Sequence, residues 1–147
     1  MSLPLNINEI LPLVEEQVKS GGYFYLIPKG VSMLPTIKGD VDTVTLECPD
    51  SLKCGDIVLY KRESGQVVLH RIVKISGDEL TLCGDAHTDF EVGIKADDVV
   101  ARVKEIKKGE RIIKRGSFAY LRFYLISRIS RAAKISRLKI KNAIKRI

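Results

Sequence analysis

The first part of the chain has a helical pattern of apolar residues. Between Asn6 and Lys19, apolar side chains recur at three- and four-residue steps, which is the repeat of one helix face. Asn6 or Asn8 can cap this segment, and the glycines at positions 21 and 22 end it. We therefore predict a short amphipathic helix and assign residues 1–21 to it.

Beyond these glycines the repeat shortens to that of β-strands. Six segments rich in β-branched and aromatic residues predict strands, at positions 23–27, 42–46, 57–60, 67–75, 80–82 and 99–106. Turn-forming residues separate them at positions 38–40, 64–65 and 76–78. Six or seven short strands at this spacing predict a mainly β fold, a small coiled antiparallel domain with barrel-like form over residues 22–115.

The last part of the chain, residues 116–147, predicts a long basic helix. Apolar residues lie near one side at helical spacing, namely Leu121, Leu125, Ile129, Ala132, Ile140, Ala143 and Ile147. Basic residues such as Arg128, Lys134 and Lys141 occupy much of the remaining surface. The expected architecture is thus a β domain between a short N-terminal helix and a long C-terminal one.

Composition and charge refine this picture. The chain has 147 residues, is 45% apolar and carries a formal net charge of +7, which excludes a disordered polyelectrolyte. Nine of the 25 basic residues lie between Gly116 and Ile147, where no acidic residue occurs. The other 115 residues hold 16 basic and 18 acidic side chains, so this is a near-neutral domain with a basic tail.

Three roles are open for such a tail. A basic amphipathic helix suits an anionic membrane surface, because each cation near that surface contributes about 1 kcal/mol. A solvated or partner-binding helix and nucleic-acid contact remain open alternatives, and nucleic acid is the least favoured of the three.

Cysteine content and the N-terminus bear on the compartment. Cys48, Cys54 and Cys83 are an odd number without a CxxC pair, which favours free thiols in a reducing compartment over a disulfide framework or a zinc site. Residues 1–13 lack the basic and apolar regions of an export signal, and no window approaches the roughly 20 apolar residues of a transmembrane span. We therefore expect a cytoplasmic protein, in which the tail can attach to the inner face of the membrane.

Three segments contain the groups needed for nucleophilic catalysis. Ser32 lies in a turn that Pro35 stiffens, His70 interrupts an apolar strand, and residues 83–89 form a polar turn containing Asp85 and Asp89. A serine, a histidine and a carboxylate can act as nucleophile, general base and orienting group. Most domains contain these three residue types somewhere, so composition alone is a weak indication.

The order and surroundings of these residues are more specific. Ser-Met-Leu-Pro-Thr at 32–36, Gly-Asp-Ile-Val at 55–58, Leu-His-Arg-Ile-Val at 69–73 and Gly-Asp at 84–85 with Asp89 follow one another. This series resembles the type I signal peptidases, and most closely their endoplasmic-reticulum-type branch, in which histidine replaces the lysine base. The resemblance covers roughly residues 23–103. Self-cleaving repressor proteins share the fold and also have a lysine where His70 lies.

The resemblance implies a role for each residue. Ser32 would be the nucleophile and His70 the general base, while Asp85 or Asp89 would orient His70, with Asp89 the favoured direct partner. The backbone amides of Ser32 and Met33 would form the oxyanion hole, since Gly30 offers no side-chain donor.

Further residues fall outside this core set. By the same resemblance, Met33 would line the substrate cleft, where Pro35 and Gly30 shape the turn. His87 is expected to be a surface turn residue, and Asp40, Asp56 and Asp78 are expected to form turns after glycine. No metal and no cofactor is expected.

The chain departs from this family at one point. Signal peptidases are normally tethered by a transmembrane helix just before the catalytic serine, whereas here the corresponding segment is the polar helix around Glu15 and Glu16. We therefore expect a serine endopeptidase with a specialised peptide or protein precursor as its substrate. The alternative is a non-proteolytic module of the same fold that binds a peptide or nucleic acid.

Overall fold

The computed structural model describes residues 7–146, which form two helices, eight strands and one short 3-10 turn. Their order is α1 (Ile7–Lys19), β1 (Phe24–Leu26), β2 (Thr43–Glu47), β3 (Ile57–Lys61), β4 (Val67–Ser76), β5 (Glu79–Cys83), β6 (Glu91–Lys95), β7 (Val99–Lys108), β8 (Arg111–Lys114) and α2 (Phe118–Lys145). The 3-10 turn, Ala96–Asp98, joins β6 to β7. The predicted first residue of α1, Asn6, and the predicted stripe residue Ile147 lie outside the described residues.

All eight strands join one antiparallel sheet in the order β1-β2-β7-β3-β4-β5-β6, with β8 on β7. The predicted mainly β class with a helix at each end is confirmed. The barrel-like form is not, because within residues 7–146 no pairing joins β1 to β6 and the sheet stays open.

Alternation along the strands divides the apolar residues between two cores. On β3, Ile57 and Leu59 belong to the larger core, whereas Val58 and Tyr60 belong to the smaller one. Because successive strand side chains point to opposite faces, the two cores lie on opposite sides of the β3–β4 hairpin. This alternation also determines the side on which each polar residue of β4 lies.

Each helix contacts the sheet differently. Helix α1 buries Leu11, Val14 and Val18 in the larger core, as its amphipathic pattern indicates. Helix α2 starts at the cap Ser117, whose side chain accepts a hydrogen bond from the amide of Tyr120 at 3.2 Å. Within residues 7–146, neither helix is long and apolar enough to cross a membrane.

Candidate active site

Ser32 lies in a tight turn after β1. Met33 and Ile37 are buried, and the amide of Ile37 donates to the carbonyl of Met33 at 2.9 Å, so the larger core anchors the turn. Gly30 precedes it at φ +88°, a left-handed conformation that L side chains rarely adopt. The turn therefore holds the half-buried Ser32 at the edge of the core.

His70 lies on β4 directly opposite Val58 of β3, and it is 5% exposed. Residue 84 is the point where His70 approaches the serine turn. A methyl group placed on Gly84 would lie 2.6 Å from the carbonyl oxygen of Ser32, 3.1 Å from Nε2 of His70 and 3.2 Å from Nδ1 of His87. The structure thus brings the Ser32 backbone and His70 together around a residue that has no room for a side chain.

The serine and histidine side chains do not bond directly in this arrangement. No hydrogen bond between Ser32 Oγ and His70 is present among residues 7–146. Hydrogen bonds of catalytic groups are often long in unliganded enzymes and shorten when substrate binds.

The other nitrogen of His70 faces a tyrosine. Nδ1 of His70 lies 3.3 Å from the hydroxyl of Tyr60, which donates to Oε2 of Glu91 at 2.7 Å. Arg62 binds the second carboxylate oxygen of Glu91. A hydroxyl has one proton, and because it goes to Glu91, the Tyr60 oxygen can only accept from Nδ1–H of His70. We infer that this arrangement leaves Nε2, the nitrogen beside Gly84, without a proton.

The pKa values of these groups agree with that proton assignment. Burial lowers the pKa of His70 to about 4, so its imidazole is neutral at pH 7. Burial and the hydrogen bond to Glu91 raise the pKa of Tyr60 well above its usual value, so its hydroxyl keeps its proton. Burial opposes ionisation of Glu91, but the hydrogen bonds from Arg62 and Tyr60 outweigh it and lower the pKa of Glu91.

Asp85 has a different partner from the one expected. Its two carboxylate oxygens accept from Nε and Nη2 of Arg71 at 2.8 and 2.7 Å, and its Oδ2 also accepts from Thr36. Both side chains of the Arg71–Asp85 pair are fully buried. Burial alone would lower the pKa of Arg71, but the bonds to Asp85 outweigh it, so the pKa is raised and Arg71 stays charged.

Asp89, the favoured partner of His70, is exposed. Within residues 7–146 neither Asp89 nor Asp85 forms a hydrogen bond or ion pair with His70, so the expected direct carboxylate partner is not found. The physical reason is that β4 directs His70 and Arg71 to opposite faces, and Asp85 binds the stronger cation.

The polar turn after β5 connects the site to α2. The amide of Ala86 donates to the carbonyl of Ser32 at 2.9 Å, which joins this turn to the serine turn. Arg131 of α2 donates to the carbonyls of His87 and Gly84 at 3.3 and 3.4 Å, and Lys134 donates to that of Ala86 at 3.2 Å. His87 is exposed, as predicted for a turn residue, but its ring also lies edge-on to His70 with centroids 5.8 Å apart.

A largely apolar cleft of about 560 Å³ includes Ser32 and Met33 in its lining. Residues 26–30, residues 66–69 and two residues of α1, Ile7 and Ile10, form other parts of its wall. Strand β5 pairs with β4 only from Arg71 onward, so residues 67–70 have an edge free of strand neighbours in the described structure. A cleft of this size beside a free strand edge can hold an extended peptide.

The expected oxyanion donors are the amides of Ser32 and Met33. No backbone carbonyl within residues 7–146 accepts from either of them, so both can bind a developing negative charge. Gly30 lines the cleft without a side-chain donor, whereas Pro35 is exposed and is not part of the cleft lining.

Three other predicted turn residues have distinct positions. Asp40 has a turn conformation with φ +63°. Asp56 accepts from the amide of Lys53 at 2.8 Å and also pairs with Arg115, so it joins its turn to the segment before α2. Asp78 lies in the turn between β4 and β5 and accepts from the amide of Ala96 through its carbonyl.

Sequence reasoning missed Tyr60 and Glu91. A signal for Tyr60 was present: a hairpin closed at Ser64 and Gly65 pairs Val58 with His70, and Tyr60 then lies one step along on the same face. No comparable signal identifies Glu91, because its strand β6 contains Gly93 and several exposed residues and was not predicted.

Comparison with known proteins adds no family to this geometry. The chain matches no protein-family model, and a search of curated proteins likewise found no match.

Proposed function

We propose that this chain is a serine endopeptidase of the signal-peptidase-like class, with Ser32 as nucleophile and His70 as general base. The observation that supports this most directly is the position of His70: Nδ1 faces the Tyr60 hydroxyl, while Nε2 lies beside Gly84 and the Ser32 backbone. A buried neutral imidazole whose remaining lone pair points toward a serine turn is arranged to accept a proton.

The reaction follows from these positions. The Ser32 oxygen attacks the scissile carbonyl as its proton moves to Nε2 of His70, and the amides of Ser32 and Met33 bind the resulting oxyanion. The imidazolium then transfers the proton to the leaving amine, and the acyl-enzyme forms. Water, deprotonated by Nε2, attacks the acyl group, and the proton returns to Ser32 as the acid product leaves.

The Tyr60 hydroxyl has a positioning role in this scheme. It fixes the ring orientation and tautomer of His70. Because it also donates to the Glu91 carboxylate, its oxygen is a stronger acceptor and stabilises the imidazolium that forms. Tyr60 and Glu91 thus perform the function that an aspartate performs in a Ser-His-Asp triad.

The substrate would be a peptide or protein precursor bound as an extended strand. The free edge at residues 67–70 offers main-chain hydrogen bonds, and the apolar cleft offers room for side chains. Small side chains such as alanine before the cut are expected from the resemblance alone. The odd number of cysteines is consistent with an enzyme that acts in a reducing compartment such as the cytoplasm.

A covalent probe tests the proposal. A fluorophosphonate should label the wild-type chain, and Ser32→Ala should abolish labelling. His70→Ala should slow labelling by about 10²–10⁴-fold, the usual contribution of a general base. Ser136→Ala, which removes an exposed serine of α2, is the matched control and should label like the wild type.

Cleavage of an alanine-rich peptide library by the same four proteins gives the second measurement. Labelling and cleavage that persist in both Ser32→Ala and His70→Ala would overturn the proposal. Peptide binding without labelling or cleavage in the wild type would instead favour the non-proteolytic module of the same fold.

A further inference from the structure

Helix α2 carries an apolar stripe on the side that faces away from the sheet. Its buried residues Tyr120, Ser127 and Arg131 mark the side that packs on the body. At 100° per residue, most exposed apolar residues fall on the opposite side, whereas Leu138 lies on the packed side. The stripe follows three- and four-residue steps and is apolar except at Ser136: Phe118, Leu121, Leu125, Ile129, Ala132, Ser136, Ile140 and Ala143.

This stripe is long and strongly exposed. Phe118 is 79% exposed, Ile129 71% and Ile140 62%, and Ile144 beside the stripe is 64% exposed. The helix has 28 residues, which corresponds to a length of about 42 Å at 1.5 Å per residue. An apolar surface of this extent on one side of a helix marks an interaction site.

Cations border the stripe on both sides. Arg128, Lys139 and Arg146 follow one border, and Arg137 lies beyond the other. Arg122 lies within the stripe, where its aliphatic stem can lie along the apolar surface while its charge reaches outward. Residues 117–146 contain no acidic side chain.

We propose that this stripe docks α2 onto an anionic lipid bilayer, with the helix axis in the plane of the membrane surface. Apolar residues would enter the boundary between headgroups and acyl chains, and the bordering cations would lie among the anionic headgroups. A second copy of the helix is a poorer occupant, because two helices without acidic residues repel each other. Nucleic acid would use the cations but leave the apolar stripe in water.

This docking would orient the candidate active site. Arg131 and Lys134, on the side of α2 opposite the stripe, bind the turn that contains Gly84 and Ala86. The turn would therefore lie about one helix diameter, roughly 10 Å, from the headgroups. The docking surface itself does not depend on the proposed peptidase activity, and the two are tested by separate measurements.

Co-sedimentation of the full chain with vesicles tests the docking. The wild type should bind vesicles of phosphatidylglycerol and phosphatidylcholine and should bind pure phosphatidylcholine far more weakly. Leu125→Ser/Ile129→Ser/Ile140→Ser keeps every charge and should lose at least tenfold in affinity. Arg128→Gln/Lys139→Gln/Arg146→Gln keeps the stripe and should lose on the order of a hundredfold, since each cation contributes about a factor of five, or about 1 kcal/mol.

Val92→Ser is the matched control, because it removes a 73% exposed apolar residue that belongs to β6 and not to the stripe, and it should bind like the wild type. Circular dichroism establishes that each variant keeps the helix and sheet content of the wild type. The proposal is overturned if wild type fails to bind the anionic vesicles, or if the triple serine variant binds them as well as the wild type. A concentration-dependent dimer that the serine substitutions abolish, without vesicle binding, would assign the stripe to a second copy instead.

Discussion

His70 and Arg71 are buried basic neighbours on β4, yet the pKa of His70 is lowered on one face of the strand and that of Arg71 is raised on the other. Arg71 keeps its charge because Asp85 binds it with two hydrogen bonds and Gly55 accepts a third at 2.7 Å. His70 is kept neutral, and its partner is the hydroxyl of Tyr60. A saturated ion pair can only hold strands and turns in place. A neutral ring with one free lone pair can also accept a proton.

The largest expected effect is on the Arg71 side. Asp85→Ala leaves the guanidinium of Arg71 buried without a counter-charge, which should lower the free energy of unfolding by about 3–5 kcal/mol. Urea unfolding measures this change. Glu79→Ala, which removes a carboxylate from the exposed pair with Lys95, is the control and should unfold close to the wild type. An unchanged urea midpoint for Asp85→Ala would contradict the structural role of the pair.

A substitution beside His70 should instead affect catalysis more than the free energy of unfolding. Tyr60→Phe keeps the ring packing but removes the acceptor of Nδ1–H, so kcat should fall by roughly tenfold to a hundredfold, the worth of one hydrogen bond to a charged group. Its effect on unfolding, about 1–3 kcal/mol, should be smaller than that of Asp85→Ala.

Nitrogen NMR of the imidazole supplies a readout that a packing change alone would not alter. The wild type should show a proton on Nδ1, and Tyr60→Phe should show a mixture of tautomers. A variant with an unchanged tautomer and unchanged kcat would remove Tyr60 from the positioning role.

The contact between the serine turn and Gly84 should show an intermediate effect. Gly84→Ala places a methyl group 2.6 Å from the Ser32 carbonyl, so the turn or the strand must move. We expect kcat/KM to fall at least tenfold, while unfolding changes by about 1–3 kcal/mol, as in overpacked sites. A crystal structure of Gly84→Ala should show Ser32 displaced from His70. If Gly84→Ala instead has the kcat/KM of the wild type, the spacing between Ser32 and His70 is unimportant.

The smallest expected change is a shift along the pH axis. Because burial lowers the pKa of His70 to about 4, the acid limb of kcat/KM should lie near pH 4 and not near the usual 6.5 of histidine. Glu91 raises the pKa of His70 through its charge, so Glu91→Gln should move this limb to still lower pH. An acid limb that stays in place in Glu91→Gln would argue that another group controls it.

The same shift has a consequence for stability. The unfolded chain protonates His70 near pH 6.5, while the folded chain resists protonation until about pH 4. The contribution of His70 is therefore fully present above pH 6.5 and is lost progressively as the pH falls from 6.5 to 4. Unfolding at a series of pH values, compared between wild type and His70→Phe, measures it.

Local patterns predicted most of the secondary structure. The repeat of apolar residues located both helices and the strands around Val58 and His70, because burial on one face leaves a direct trace in sequence. Strand β6 was missed because Gly93 and its exposed neighbours show no such trace. The closure of the sheet was also misjudged, since the pairing of its end strands depends on contacts that no local pattern records.

The candidate site was predicted as a set of residues but not as a network. Ser32 and His70 could be named from their surroundings, whereas the partner of His70 depended on which face each polar side chain occupies. Asp85 carries the same carboxylate as Glu91, yet Arg71 binds it on the other side of the strand. Pairings between residues 31 positions apart, such as Tyr60 and Glu91, follow from the register of a strand that the sequence did not reveal.

The hydrogen bonds from α2 to the turn after β5 also set an order of events during synthesis. Arg131 reaches back 47 residues to the carbonyl of Gly84, and Lys134 reaches back 48 residues to that of Ala86. A nascent chain that has emerged only as far as residue 115 contains Ser32, His70 and Tyr60 but lacks these donors. These hydrogen bonds can therefore form only after the whole β domain has been synthesised.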